Sequence, residues 1–482
     1  MTQKISQEKI KKAITFLIFG ITGDLSRKKL IPSLWDLYCD GILTKGQFRI
    51  IGLSRSEYGI IAFQEYVREV ITKTRSNVNE EMLKSFSECF IYEIGVFEDP
   101  DIYKQLTKQL RFQDKIFGSC SEKIVYLAVS PERYETIFEN IHFSGLLRTC
   151  SENGSLGRIL VEKPFGKNTQ TAQLLDDKLG ALFEERQIFR IDHYLAKETI
   201  QNILNFRFAN HIFEPLWNKD HIESVEIRLV ESFGIEGRGN FYDGIGALRD
   251  VGQNHILQML AMTAMESPSE FSDTEIRSKR FEILRYLNPL CIKDTFGKIN
   301  CSHIVRGQYR GYRNESGVDP NSQTETYFRI TAHIDTEKWR GVPFYLESGK
   351  GMDVTQTFIR VNFKKSNFGA LCPIGNPYGC GNSLTFHIKP NEGISLCFWA
   401  KRTGFSKELE RKTLRFSYEE GDNFVRIPDA YEHVLLETIR NDQTLFPSTD
   451  EVKAQWAFIT PILEQWKNLP LIEYDRGSSS VG

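Results

Sequence analysis

The chain has 482 residues, 40% hydrophobic and 12% aromatic with 34 Phe, which is material for a large packed core and excludes a disordered chain. Lys and Arg (61) nearly balance Asp and Glu (63), for a formal net charge of -2, so a general nucleic-acid or membrane-surface binder is excluded and any anion site must be local. At roughly 100 to 200 residues per domain the length predicts two or three domains, and two are expected. Nine Cys occur without a C-x-x-C pair, residues 1–12 are polar, and no run reaches the ~18 apolar residues of a membrane span, so a soluble, cytoplasmic protein with reduced thiols is expected.

Ile14 to Phe19 (ITFLIF) is a continuous apolar run of the kind that forms a buried parallel strand, and it opens into Gly20-Ile21-Thr22-Gly23-Asp24-Leu25. Leu30, Ile31, Leu34, Trp35, Leu37 and Tyr38 then trace an amphipathic helix, with Pro32 either kinking it or marking its start. Strand, glycine turn and helix together suit a pyrophosphate, although G-x-x-G with Ser26 at the third glycine's place fits a tight structural turn equally well. Phe48 to Leu53 reads as a second strand, ending in Ser54-Arg55-Ser56. No acid lies between Ile50 and Ser56, and Arg55 at this position favours NADP over NAD.

Lys123 to Val129 and Arg158 to Val161 are further apolar runs, alternating with helix-like stretches Ile102 to Phe112, Tyr134 to Phe143 and Thr169 to Glu185. This alternation predicts a Rossmann-like, doubly wound parallel sheet over residues 1–191. Val161 leads into Glu162-Lys163-Pro164-Phe165-Gly166, where Pro164 is a candidate for a cis peptide. Ile188 to Ile191 ends in Asp192-His193-Tyr194, and a helix-compatible stretch follows. His193 and Lys197 stand i, i+4, so on a helix they would share one face and one anion, a phosphate being the natural choice. Asp192 cannot assist a phosphate and is expected to orient another group.

Residues 192–482 change character. Val225, Ile227 and Leu229 alternate with Glu226 and Arg228, and Glu231 shares the parity of the apolar face. Gly244 to Met265 reads as a helix carrying Asp250-Val251-Gly252-Gln253-Asn254-His255. Five residues at the α-helical step of ~100° put Asp250 about 140° round from His255. Gly252 suggests something approaching the helix, at about 1 kcal/mol of helix propensity. Alternating segments recur at Thr326 to Ile334, Pro343 to Ser348, Phe358 to Lys364, Leu384 to Lys389 and Ile394 to Ala400, with Gly349-Lys350 between two of them. Helix-like stretches Ala430 to Arg440 and Glu451 to Lys467 follow, then a tail, Gly477 to Gly482, expected to be flexible. A large, mainly antiparallel sheet with flanking helices is predicted.

Four stretches carry a resemblance. IFRIDHYLAKE (188–198) resembles the RIDHYLGKE signature of the glucose-6-phosphate dehydrogenase family, with Ala196 for Gly; GITGDL (20–25) resembles its GxxGDL fingerprint; EKPFG (162–166) matches unchanged; DVGQNH (250–255) fits D-x-x-Q-N-H. The resemblance implies oxidation of glucose 6-phosphate to its 1,5-lactone, the entry to the pentose phosphate pathway, with NADP as cofactor, no metal, and a homodimer or homotetramer built on the sheet domain. It implies His255 as base and Asp192 as its carboxylate partner, and substrate binding by Lys163, His193, Tyr194, Lys197, Glu231, Asp250 and Lys350. For the cofactor it implies Gly20, Thr22, Gly23, Asp24, Leu25, Ser26, Arg55, Tyr134 and Lys163. Thr355 stands where many members carry a second phosphate-binding cation. Gln356, Arg360 and His387 stand where eukaryotic relatives hold a second, structural NADP, and only Arg360 is a permanent cation, so no tight second site is expected. A dehydrogenase of an unphosphorylated sugar and a non-catalytic NADPH sensor are the alternatives; the His193 and Lys197 pair opposes the first, His255 with Asp192 the second.

Overall fold

The computed structural model describes residues 12–148, 156–289, 292–293, 299–300, 304–365, 381–418 and 426–482. The chain divides into two compact units, neither continuous in sequence: residues 1–166, 173–196 and 428–449 form one, and 167–172, 197–427 and 450–482 the other.

The first unit is built on six parallel strands, β1 (Ile14–Phe19), β2 (Phe48–Ser54), β3 (Phe90–Ile94), β4 (Glu122–Leu127), β5 (Arg158–Val161) and β6 (Ile188–Arg190), in the order β3-β2-β1-β4-β5-β6. This is the doubly wound order expected, and β1 is buried along its whole length, as its apolar run requires. Phe19 pairs with both Leu53 and Leu127, so β1, β2 and β4 end level at the point where the strand order reverses. Around the sheet lie α1 (Ile31–Cys39), α2 (Ile60–Thr74), α3 (Glu80–Ser87), α4 (Pro100–Phe117), α5 (Tyr134–Ser144) and α6 (Thr169–Leu182). The helix after the glycine turn starts at Asp24, before Pro32, and passes through a π-helical stretch, Ser26–Leu30, in which the Ile31 N–H reaches back to the Ser26 carbonyl. The wider turn lets a residue without an N–H stand in the first turn of α1.

The remaining helices are α7 (Glu198–Phe208), α8 (Gly239–Tyr242), α9 (Leu257–Ala264), α10 (Asp273–Arg285), α11 (Ala430–Arg440) and α12 (Thr449–Trp466). α11 belongs to the first unit and packs on α1. Its C-terminal carbonyls are satisfied by the buried Arg158 guanidinium, which donates to Thr438 at 2.7 Å and Ile439 at 3.1 Å.

The second unit holds a ten-stranded mixed sheet. Its strands are β7 (Ile222–Val230), β8 (Leu287–Pro289), β11 (Ile304–Tyr309), β12 (Tyr327–Ile334), β13 (Phe344–Gly349), β14 (Gln356–Phe363), β15 (Ser383–Lys389), β16 (Gly393–Lys401), β17 (Leu409–Ser417) and β18 (Leu471–Tyr474), while β9 (Ile292–Lys293) and β10 (Ile299–Asn300) pair apart. β7–β13 and β11–β18 run parallel and the other pairings antiparallel. The tail is docked: Ser478 bridges Met352, and Val481 is buried in a core of Tyr242, Tyr309, Tyr312, Tyr327 and Tyr474. Apolar contact at Val481 outweighs the flexibility suggested by GSSSVG. Cys89 and Cys397 are free thiols, whereas Cys120 is disulfide-bonded, which corrects the expectation of reduced thiols throughout. Sequence spacing does not reveal a pair that folding brings together. Among the described residues no helix is long and apolar enough to cross a membrane, and no three His, Cys, Asp or Glu side chains could hold a metal ion.

Candidate active site

In the first unit the glycine turn leaves β1 at the strand-order reversal. Gly20 has φ +78°, and a Cβ there would lie 2.4 Å from the Ala128 carbonyl oxygen, so only glycine fits between β1 and β4. Gly23 donates its N–H to Gly20, and the Ser26 hydroxyl donates to the same carbonyl, closing the turn from the helix side. Ser26 therefore braces the loop. Leu25 is half-buried, and Asp24 is exposed, its carboxyl held below the usual range first by its hydrogen bond from Lys28. At the end of β2, Thr22 Oγ1 lies 2.7 Å from Ser54 Oγ, and Arg55 beside them is exposed. Two hydroxyls and a cation thus stand at the end of the second strand. Tyr134 is buried at 1% exposure and its hydroxyl donates to the Glu162 carbonyl at 3.3 Å, which gives it a supporting part behind the Glu162–Gly166 turn.

Within that turn the Lys163–Pro164 peptide is cis, as foreseen. Glu162 is half-buried and accepts from the Tyr126 hydroxyl at 2.6 Å; desolvation raises its carboxyl, Tyr126 and Lys163 oppose the shift, and the Asp192 charge adds to it. Lys163 and Asp192 therefore lie in the field of one carboxyl. Asp192, 2% exposed, accepts the Tyr194 N–H at 3.0 Å, and His193 stacks on Tyr431 of α11 with ring centroids 6.3 Å apart and planes at 14°. Nothing local in the sequence marks Tyr431, which reaches this place through the fold.

The helix expected across His193 and Lys197 is not formed. Residues 193–196 are a turn, and α7 begins at Glu198. The Asp192 carboxylate takes the Tyr194 N–H and so competes with helical bonding, while Glu392 accepts the N–H and hydroxyl of Thr199, both at 3.0 Å, and supplies the cap of α7. Lys197 is the N-cap residue of α7, with Nζ 3.6 Å from Glu392.

In the second unit Lys350 is buried, its Nζ 2.5 Å from Glu231 Oε2 and over the rings of Phe233 and Tyr242 at 5.7 and 5.4 Å. Tyr242 is fully buried, and after burial itself the Asp250 charge is the largest influence raising its phenol. Glu231, Lys350 and Asp250 are thus gathered round one tyrosine. His255, at 2% exposure, lies with Asp250 in a π-helical stretch, Leu248–Ile256, that runs into α9; the Leu257 N–H reaches the Gly252 carbonyl five residues back. The 140° separation expected of an α-helix is therefore wrong, because i→i+5 bonding brings residues five apart onto one face. Asn254 Nδ2 donates to the Asp250 carbonyl and its Oδ1 accepts the His255 N–H, bracing the widened turn. Leu248 and Phe328 fill the space beside Gly252: a Cβ there would lie 2.7 Å from Leu248 Cδ1 and 2.9 Å from the Phe328 ring. Elsewhere on the sheet a cavity of about 610 Å³ carries Arg360, paired with Glu226 at 3.3 Å, and also Lys365 and Arg411, two cations absent from the sequence reckoning of a second cofactor site.

A doubly wound sheet with a glycine turn at its reversal point, joined to a sheet unit carrying a histidine and converging carboxylates, defines a dinucleotide-dependent oxidoreductase. Two family models match: "Glucose-6-phosphate dehydrogenase, NAD binding domain" over residues 17–202 and "Glucose-6-phosphate dehydrogenase, C-terminal domain" over 204–481. The chain belongs to the glucose-6-phosphate dehydrogenase family. It is 37% identical over 473 residues to a glucose-6-phosphate 1-dehydrogenase of Borreliella burgdorferi (96% of this chain, 94% of the relative), and 38% identical over 477 residues to that of Treponema pallidum (96% and 91%). A solved glucose-6-phosphate dehydrogenase in complex with glucose-6-phosphate superposes with TM-score 0.88 at 30% identity (98% of this chain, 96% of that one), and the Mycobacterium avium enzyme with 0.83 at 31% (97% and 94%). Levoglucosan dehydrogenase, at TM-score 0.51 and 10% identity over 95% of this chain and 98% of its own, shares the fold alone.

Proposed function

We propose that the protein oxidises D-glucose 6-phosphate at C1 to 6-phospho-D-glucono-1,5-lactone, with NADP+ as acceptor, in the cytoplasm and as a homodimer or homotetramer. The observation that carries this reading is the π-helical turn with Asp250 and His255 on one face, in a chain matching the family from end to end. His255 takes the proton of the C1 hydroxyl as the C1–H bond breaks and the C1–O bond becomes a carbonyl; an imidazole suits a base working near neutral pH. Asp192 is the carboxylate that offsets the imidazolium. Glu231 and Asp250 accept from sugar hydroxyls, and the pairing of Lys350 with Glu231 favours a part for Lys350 on those hydroxyls over one on the phosphate. His193, Tyr194 and Lys197 bind the 6-phosphate, and Lys163 serves both substrate and cofactor.

Bound NADP+ supplies the hydride acceptor. The residues fit it: the Gly20–Gly23 turn where the strand order reverses, the N–H groups at the start of the helix from Asp24, and Thr22 with Arg55 for the 2′-phosphate. Absorbance of the reduced nicotinamide tests the reading. Reduction with glucose 6-phosphate, and little with glucose or no sugar, is expected; preference for glucose indicates an unphosphorylated-sugar dehydrogenase, and no reduction at all a sensor.

Arg55→Ala is expected to shift cofactor preference towards NAD by about tenfold or more, since only NADP carries the 2′-phosphate and a charged hydrogen bond contributes roughly 1.5 to 3 kcal/mol. Equal losses for both cofactors, measured as kcat/KM, would make Arg55 structural. Thr355 accepts the Ser232 N–H at 3.0 Å, so its hydroxyl is already engaged. Thr355→Lys is expected to lower the KM for glucose 6-phosphate by roughly threefold through the added charge, an effect that shrinks at high salt.

A further inference from the structure

Glu325 has no part in the chemistry above, yet it is buried where the helix carrying Asp250 and His255 begins. Its exposure is 4%, and its Oε1 accepts the Leu248 N–H at 3.0 Å while its carbonyl accepts the Ala247 N–H at 3.0 Å. Helix-starting N–H groups have no partner of their own, and a carboxylate there also meets the positive end of the helix dipole. The carboxylate fits only because residue 246 is glycine: with φ +78°, a Cβ on Gly246 would lie 2.2 Å from Glu325 Oε1.

The neighbours of Glu325 hold other parts of the same unit. Thr324 Oγ1 accepts the Gly244 N–H at 2.8 Å and donates to Asp243 at 2.7 Å, in the loop that leads into the helix. On the other side the Thr326 carbonyl accepts the Lys350 N–H at 2.9 Å, and the Tyr474 hydroxyl bonds both Thr326 Oγ1 at 2.9 Å and the Lys350 carbonyl at 2.6 Å. Three consecutive residues therefore fasten the start of the Asp250–His255 helix to the strand end that carries Lys350 and, through it, Glu231.

We propose that Glu325 is a positioning residue: by capping the helix at Leu248 it fixes Asp250 and His255 in register with the Lys350–Glu231 pair. Burial pushes its carboxyl up to about 7, the bond from Leu248 opposing the shift, as expected of a group held by design in a site that desolvates it. The consequence is a specific kinetic signature. Displacing the helix start moves a substrate-binding carboxylate and the base together, so sugar affinity and turnover fall together, whereas a change that only lowers stability reduces the active fraction and leaves KM alone.

The inference rests on the reading that glucose 6-phosphate is the substrate, and the test separates the two. Glu325→Ala should raise the KM for glucose 6-phosphate about tenfold and lower kcat about tenfold, in keeping with the large effect of small misplacements, with the KM for NADP+ within about twofold of the parent. Glu325→Gln, whose amide oxygen still accepts from Leu248, should recover both sugar parameters to within about threefold. A sugar KM unmoved in Glu325→Ala overturns the inference while the parent's activity upholds the substrate; an inactive parent overturns the substrate reading itself. If Glu325→Ala does not fold, Glu325→Asp keeps the charge but loses one methylene of reach, and its sugar KM should rise by at least about threefold. An unchanged KM there overturns the inference too.

Discussion

His255→Asn is expected to lower turnover by about 10² to 10⁴, the usual contribution of a general base, while the KM for glucose 6-phosphate stays within several-fold. Asparagine keeps a polar side chain of similar reach in a site where His255 is 2% exposed, so the packing around it survives. The backbone brace survives as well, because Asn254 Oδ1 holds the residue-255 N–H and not the imidazole. What is lost is a group able to take the proton as hydride leaves C1. The acid limb of the parent's pH–rate profile should disappear with it, since that limb records protonation of the base. Steady-state kinetics from pH 5 to 9 checks both points: turnover within about threefold of the parent, or an acid limb that persists unchanged, assigns the base to another residue.

Much of this was legible because the chemistry sits in short local strings. An apolar run opening into Gly20 and Gly23 gives strand, turn and helix from composition alone, and EKPFG keeps its lysine and proline adjacent whatever the rest of the chain does. The π-helical stretches were not legible. Over the nine residues Leu248–Ile256 an apolar pattern of five-residue recurrence is hardly distinguishable from one of 3.6, so the sequence placed Asp250 and His255 apart where hydrogen bonding sets them on one face. The turn at His193 was missed for a different reason. Asp192 takes a local N–H, and the cap of α7 comes from Glu392, 193 residues away from Thr199 in the chain. Glu325 and Tyr431 belong to the same category: each acts at a place its own neighbours in sequence do not announce.

Glu451→Ala should be the most destabilising of the substitutions considered. Arg280 and Glu451 are both fully buried, with Arg280 Nε 2.8 Å from Glu451 Oε1 and Nη2 3.3 Å from Oε2, so α10 and α12 are joined by a forked ion pair removed from water. Arg280 Nη1 also lies 4.0 Å from the sulfur of Met262 on α9, the helix continuous with the His255 turn. Two buried charges of opposite sign roughly offset their own desolvation, but one alone does not, and removing a partner costs about 3 to 5 kcal/mol. For a unit of this size that corresponds to a fall of about 10 °C in the midpoint of its thermal transition. Arg280→Met combined with Glu451→Leu removes both charges and fills much of their volume, and it should recover most of the loss. Calorimetry of the parent, the single variant and the double variant decides the point: a single variant as stable as the parent means the pair contributes nothing, and a double variant no better than the single means the loss is one of packing at Glu451 and not of stranded charge.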